Sequence, residues 1–216
     1  MRLLKRKSRM FDCIDAIWNP LGGSCPHECV YCWARALIKR FNMKKYQGEI
    51  RLIAKELERK FKPDTCVFVQ DMSDLFASEV PDEYILRILF WIKQFPKTTF
   101  LLLTKNPLRY LEFNIPRNCI CGATIEGDRH FPKISKAPPP RDRIRGMILL
   151  KHPRKMVSVE PIMEFNSVFV DLLRAINPEF IYVGKDNYNN HLPTPFQGSI
   201  EWLIRELEKT IEVRRK

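Results

Sequence analysis

Three of the seven cysteines, Cys25, Cys29 and Cys32, fall within eight residues as a C-x3-C-x2-C run. Thiolates are strong ligands for iron and zinc, and on a loop this spacing lets all three reach one metal centre. Pro20, Gly22 and Gly23 precede the run. They let the backbone curl around a cluster and aim amide donors at its sulfurs. Three thiolates leave a fourth position open, where an iron can chelate a small molecule; a structural zinc is normally closed by four protein ligands. Two other readings stay open at this point. Zinc could take His27 or a distant cysteine as its fourth ligand, and a closed electron-transfer cluster could use Cys13 or Cys66. An odd cysteine count with three crowded together favours metal or redox chemistry over a disulfide framework.

Positioning that run requires elements on both sides of it. Short apolar runs read as strands at Phe11 to Trp18, Cys66 to Gln70, Thr98 to Thr104, Cys119 to Thr124, Met156 to Val159 and Phe180 to Val183. Runs that are apolar on both faces suit buried parallel strands. Helices are expected from Trp33, over Glu49 to Phe61 (with Ile50, Ile53, Ala54 and Leu57 at helical spacing), and from Pro81-Asp82-Glu83. Arg141 to Leu150, Ser167 to Ile176 and Ser199 to Val213 supply the later ones. Strand alternating with helix predicts βα units and a parallel sheet, with about six units, too few for an eight-stranded barrel.

Almost every predicted strand ends in polar residues: Asn19; Asp71, Ser73 and Asp74; Thr104 and Lys105; Glu126; Glu160; Lys185 and Asp186. Ligands of parallel α/β folds sit outside the carboxyl ends of the strands. These residues are therefore site candidates, with capping or solvation as the bland reading of each. Cys119 and Cys121 alternate onto one face and read as small core residues, as do Cys13 and Cys66. His130, His152 and His191 read as surface or loop histidines. Gly127 to Arg145 is a long basic loop, either a lid, a phosphate-contacting arm or a plain solvated connection; Asn187 to Pro195 is a second loop.

The 216 residues fit one domain. A net charge of +12 suits a nucleic acid or another polyanion, or simply a lysine-rich surface. The basic segment 1–10 lacks the apolar stretch and cleavage site of a secretory signal. No apolar run approaches a bilayer's thickness. The expectation is a cytoplasmic protein without a membrane partner; oligomeric state is open.

Cys25-x3-Cys29-x2-Cys32, with Tyr31 before the last cysteine, resembles the signature of the radical SAM superfamily. Val69-Gln-Asp-Met-Ser-Asp-Leu-Phe76, Leu103-Thr-Lys-Asn-Pro107, Thr124-Ile-Glu126 and Val157-Ser-Val-Glu-Pro161 resemble a phage- and prokaryote-associated family in or near it. The resemblance implies a partial (β/α)6 TIM-like barrel with its site at the carboxyl strand ends. It implies a 4Fe-4S cluster on the three cysteines, S-adenosylmethionine on the open iron, and an electron from an unidentified reductant. Cofactor cleavage then gives methionine and a 5′-deoxyadenosyl radical that abstracts hydrogen from an unidentified substrate, with nucleic acid one candidate. Such enzymes often carry Gly-Gly-Glu after the second strand for the methionyl amine. Here that place reads Gln70-Asp71-Met72-Ser73-Asp74, so Asp71, Ser73 or Asp74 must substitute. Lys105 would meet the methionyl carboxylate, Glu126 the ribose hydroxyls and Tyr31 the adenine; Glu160 and Lys185 would face the substrate. The competing readings are a non-catalytic zinc- or iron–sulfur-stabilised nucleic-acid-binding protein and an electron-transfer or sensing module.

Overall fold

The computed structural model describes residues 11–216, so the basic segment 1–10 lies outside the described residues. Strands β1 (Ala16–Trp18), β4 (Cys66–Val69), β5 (Thr99–Thr104), β6 (Cys119–Thr124), β7 (Lys155–Val159), β8 (Phe180–Val183) and β9 (Glu212–Arg215) form one sheet in that order. Every neighbouring pair in it is parallel. A two-residue antiparallel ribbon pairs β2 (Leu21–Gly22) with β3 (Arg51–Leu52). Helices α1 (Trp33–Phe41), α2 (Asp82–Lys93), α3 (Pro140–Leu149), α4 (Phe169–Ile176) and α5 (Gln197–Glu208) complete the α/β architecture.

Both sheet faces are covered, which explains why the strand sequences carry few polar residues. Val67, Val69, Phe100, Leu102, Cys119, Cys121, Val157 and Ile181 face the helices and join one large core. Phe68, Leu101, Ile120, Met156, Phe180 and Tyr182 alternate with them and build a smaller core on the other face with Phe11 and Ile14. Cys119 and Cys121 are fully buried in the helix-side core, as a small-residue reading requires.

Three segments depart from the sequence expectation. Glu49 to Phe61 is not a helix: it holds β3 and a 3-10 turn, Ala54–Glu58. Tertiary partners claim the backbone that a helix would use. Ile53 N–H donates to the Pro20 carbonyl at 2.8 Å, and Trp18 Nε1 donates to the Glu56 carbonyl at 3.0 Å. Gly23, at φ +98°, lets this segment press close, since a Cβ there would stand 2.3 Å from the Glu49 carbonyl oxygen. Ile50 and Leu57 still reach the core, but from an irregular path. The second departure is a seventh strand. The tail expected to extend the last helix to Val213 turns after α5, and β9 then pairs with β8 while Val213 packs on the helix-side core. The first strand is also shorter than expected: Phe11 to Ile14 form a turn closed by Ile14 N–H on the Phe11 carbonyl at 3.2 Å.

No described helix is long and apolar enough to cross a membrane.

Candidate active site

The carboxyl ends of the strands and the loop between β2 and α1 enclose a cavity of about 500 Å³. Its walls carry Cys25, Cys29 and Cys32 with Tyr31, then Asp71, Ser73 and Asp74 after β4, and Lys105 after β5. Glu160 and Lys185 line it after β7 and β8. The structure thus gathers around one volume ten of the eleven residues to which the resemblance gives a role. The exception, Glu126, sits behind the wall and is 2% exposed.

The cysteine loop is fixed by its neighbours. Val30 N–H donates to the Ile134 carbonyl and Lys136 N–H to the His27 carbonyl, at 2.9 and 2.8 Å. The 127–145 segment, expected as a lid, a phosphate-contacting arm or a solvated connection, thus packs on the cysteine loop, and its last part is α3. Cys29 Sγ lies 3.1 Å from Ser135 Oγ. Burial pushes the Cys25 thiol up to about 12, with Asp74 and the Cys29 and Cys32 thiols adding to the shift. Burial raises Cys32 as well. Among the described residues no three Cys, His, Asp or Glu side chains converge as on a single ion.

The three candidates after β4 have different surroundings. Asp74 is buried and saturated. Its Oδ2 lies 2.7 Å from His27 Nε2 and accepts from Thr104 Oγ1 at 2.9 Å and Lys105 N–H at 2.7 Å, while Oδ1 accepts from Phe76 N–H at 2.9 Å. Burial opposes its charge, but His27 and these donors hold it below the usual carboxylate range. His27, one of the possible zinc ligands, thus has its Nε2 on Asp74. Ser73 Oγ accepts from Gln70 Nε2 at 2.7 Å. Gln70, in the left-handed region at φ 62°, also bridges to Leu21 N–H and carbonyl. Asp71 is the less committed carboxylate, accepting from Asn19 Nδ2 at 2.7 Å; burial raises its pKa despite that bond.

Glu126 belongs to a buried charge cluster. Oε1 pairs with Lys105 Nζ and accepts from the Tyr31 hydroxyl, while Oε2 accepts from Arg143 Nη1 at 2.7 Å. Lys105 Nζ also donates to the Tyr31 oxygen at 2.7 Å and lies 5.1 Å from that ring's centre. Burial alone would raise Glu126; Lys105 and Arg143 overcome it and hold the carboxyl down to about 2. Arg143 falls where the basic-loop and helix expectations overlap, and it stands on the buried face of α3 beside Ile144 and Met147. A charged residue at an apolar helical position was the signal available for it.

Glu160 Oε2 accepts from Lys216 Nζ at 2.7 Å, and Lys185 Nζ donates to the Gln197 amide oxygen. Tyr188, on the loop after β8, lines the outer cavity yet remains 70% exposed. Of the three histidines read as surface or loop residues, His152 is in a loop, between α3 and β7, but buried: it is 9% exposed, and its ring nitrogens lie 3.1 and 3.3 Å from the Arg154 and Pro116 carbonyls. Cys13 and Cys66 lie beside the amino-terminal end of β4, at the other end of the strand from the site.

Comparison with solved structures shows where this fold recurs. A spore photoproduct lyase variant with bound AdoMet and dinucleoside spore photoproduct superposes at a TM-score of 0.53 and 12% identity, over 91% of this chain and 61% of that one. A second variant of that lyase gives 0.58 and 12%, over 99% and 66%. The chain thus spans about three-fifths to two-thirds of those proteins' length, and at such identity the likeness shows a shared α/β, partial-barrel fold. No curated protein sequence matches. A family model matches residues 9–205, nearly the whole chain, and this protein accordingly belongs to the family described as "Protein of unknown function (DUF5131)".

Proposed function

We propose that this protein is a radical SAM enzyme that holds a 4Fe-4S cluster on Cys25, Cys29 and Cys32. The observation that carries this reading is the shared wall: the C-x3-C-x2-C thiols and a set of charged side chains line one cavity at the carboxyl ends of a parallel sheet. The donor set fits the group. Buried thiols resist ionisation unless cationic charge faces them, and an iron–sulfur cluster supplies it. In such a cluster each thiolate binds a different iron, so three thiols on one loop can hold it without meeting at a single point. When bound, the cluster and S-adenosylmethionine supply the electron and the 5′-deoxyadenosyl radical.

The chain's own residues then bind and orient. Asp71 is the carboxylate suited to the methionyl amine, because an ammonium beside it would relieve the burial that now raises its pKa. Asp74 and Ser73 support it by fixing the loop. Lys105 faces the methionyl carboxylate, while Glu126 and Arg143 hold that lysine and Tyr31 in place. The ribose role read for Glu126 would require it to act from behind Tyr31 and Lys105. Glu160 and Lys185 face the substrate end. Asp71→Ala is expected to weaken S-adenosylmethionine binding by about ten- to a hundredfold, the value of a charge-assisted hydrogen bond. Calorimetric titration of the iron-loaded protein checks this, and unchanged affinity would remove Asp71 from the site.

Substrate recognition is read as nucleic acid. Lys185 and Lys216 line the cavity beside Tyr188, and Phe196, 89% exposed, precedes α5. Cations for phosphate next to exposed rings for stacking are what a polynucleotide requires, and the net charge is +12. The lyases of similar fold, bound to a dinucleoside spore photoproduct, support the same substrate class. Oligonucleotide binding, followed by fluorescence anisotropy, should fall steeply between 50 and 200 mM salt, roughly in the 10³-fold range if about six phosphates are contacted. Tyr188→Ala should cost about 1–3 kcal/mol more. Salt-independent or absent binding would redirect the search to small metabolites and peptides.

The deciding experiment for the enzyme reading is anaerobic reconstitution with iron and sulfide, then electron paramagnetic resonance with and without S-adenosylmethionine. A cluster signal that shifts on adding the cofactor is expected. Uptake of zinc alone, or a cluster indifferent to the cofactor, would overturn the proposal.

A further inference from the structure

The far end of the sheet carries a second group of reactive side chains. Asp15 clamps onto Cys66 by two bonds, its N–H to the Cys66 carbonyl at 2.9 Å and its Oδ2 from the Cys66 N–H at 3.0 Å. The Phe11–Ile14 turn just before it brings Cys13 beside the start of β4, and both thiols pack against the same cluster. Both are partly exposed and pack against the smaller core. The Tyr182 hydroxyl stands 3.9 Å from Cys13 Sγ and is itself held by Asp12 and by Arg214 Nη1 at 3.2 Å.

We infer that Cys13 and Cys66 are a redox-active dithiol, a modification site separate from the cysteine loop, that closes to a disulfide on reaction with low-molecular-weight disulfides. The groups facing it are Asp12, Asp15, Tyr182, Arg214 and Arg154. The Cys66 thiol donating to Cys13 is the largest influence; with help from Tyr182 and Arg214, and against burial and Asp12, it brings Cys13 down to about 6. The same bond and burial push Cys66 up. Cys13, with the Tyr182 hydroxyl and Arg214 on its side of the pair, is thus the attacking thiolate and Cys66 the resolving thiol.

The chemistry balances. The Cys13 sulfur attacks one sulfur of the small disulfide, whose S–S bond breaks and releases one thiolate. Cys66 gives up its proton and attacks the Cys13 sulfur, expelling the second thiolate. Two protein thiols lose two electrons, the small disulfide gains them, and the two protein protons end on the two released thiols. Closure ties the turn that carries Phe11, a residue of the cavity wall, to β4.

The test uses the full chain in anaerobic glutathione buffers, quenched in acid and alkylated. Cleavage before aspartates isolates Cys13 in residues 12–14, Cys66 in 64–70 and the three loop cysteines in 15–63. A fragment linking 12–14 to 64–70 is expected to grow with the oxidised fraction. Cys66→Ser should arrest at glutathione on Cys13, and Cys13→Ser should slow modification of Cys66 at least about tenfold. Alkylation of native Cys13, which needs no variant, should be half-maximal well below the ordinary thiol range. Persistence of both free thiols in oxidised buffer, a Cys13 profile centred near the ordinary thiol value of about 8.5, or Cys66 reacting at full rate without Cys13 would each overturn the inference.

Discussion

Serine at Cys25, Cys29 or Cys32 is expected to take the reconstituted protein from one 4Fe-4S cluster per chain to essentially none. Cofactor cleavage should fall to background. Losing an outer partner of a metal ligand already costs 10–100-fold in affinity or activity, so losing a ligand should cost about a hundredfold or more. The metal-free fold should survive. Cys29 is 6% exposed, and a hydroxyl there keeps its bond to Ser135, so no buried polar group is orphaned. Metal-free variants should therefore unfold within a few degrees of the parent. Iron and sulfide content with the paramagnetic signal give the readout. A serine variant that retains a full cluster and cleaves the cofactor would show that the ligands lie elsewhere.

Glu126→Gln should be the most damaging single change to stability. The carboxylate faces Lys105 and Arg143 at 2% exposure, and breaking a buried ion pair on one side costs about 3–5 kcal/mol. For a chain of this size that is a fall on the order of 10 °C in the melting temperature. The pH dependence has a definite sign. Glu126 is held below its unfolded value of 4.5, at about 2. Its contribution is therefore complete above pH 4.5 and lost as the pH falls toward 2. The stability gap between parent and variant should be widest near neutrality and close across that acid window. Adding Arg143→Met to Glu126→Gln should cost less than the two single changes summed, because the orphaned guanidinium leaves too. Additive losses, or a gap that persists at pH 2, would mean that the pair is not a coupled charge cluster. The double variant also separates roles: Lys105 loses its clamp in it, so cofactor affinity should drop even where the fold recovers.

Strand positions were legible because parallel strands buried on both faces must be apolar throughout. Cys119 to Thr124 and Phe180 to Val183 fall where their composition puts them. The cysteine run was legible because a metal loop needs its ligands at fixed short spacing. The polar residues at strand ends were legible because a parallel sheet points every carboxyl end the same way, so one loop-borne residue per strand is carried to one cavity.

What the sequence could not weigh was competition between local and distant partners. Glu49 to Phe61 has helical spacing, yet Trp18 and Pro20 take its hydrogen bonds and Gly23 lets it lie flat against the β1–α1 connection. The tail after α5 alternates only Ile211 and Val213 with charged residues, too short a run to stand apart from the helix before it; pairing with β8 made it a strand. Asp71 and Asp74 are three residues apart and chemically alike, but His27, Thr104 and Lys105 occupy one of them and leave the other to Asn19. Likewise Arg143 meets Glu126, and Cys13 meets Cys66, across gaps of many residues. Residue type and spacing determined which groups this chain can bring to chemistry; which of them stand paired and which stand open was decided only when folding brought distant charges and donors within reach.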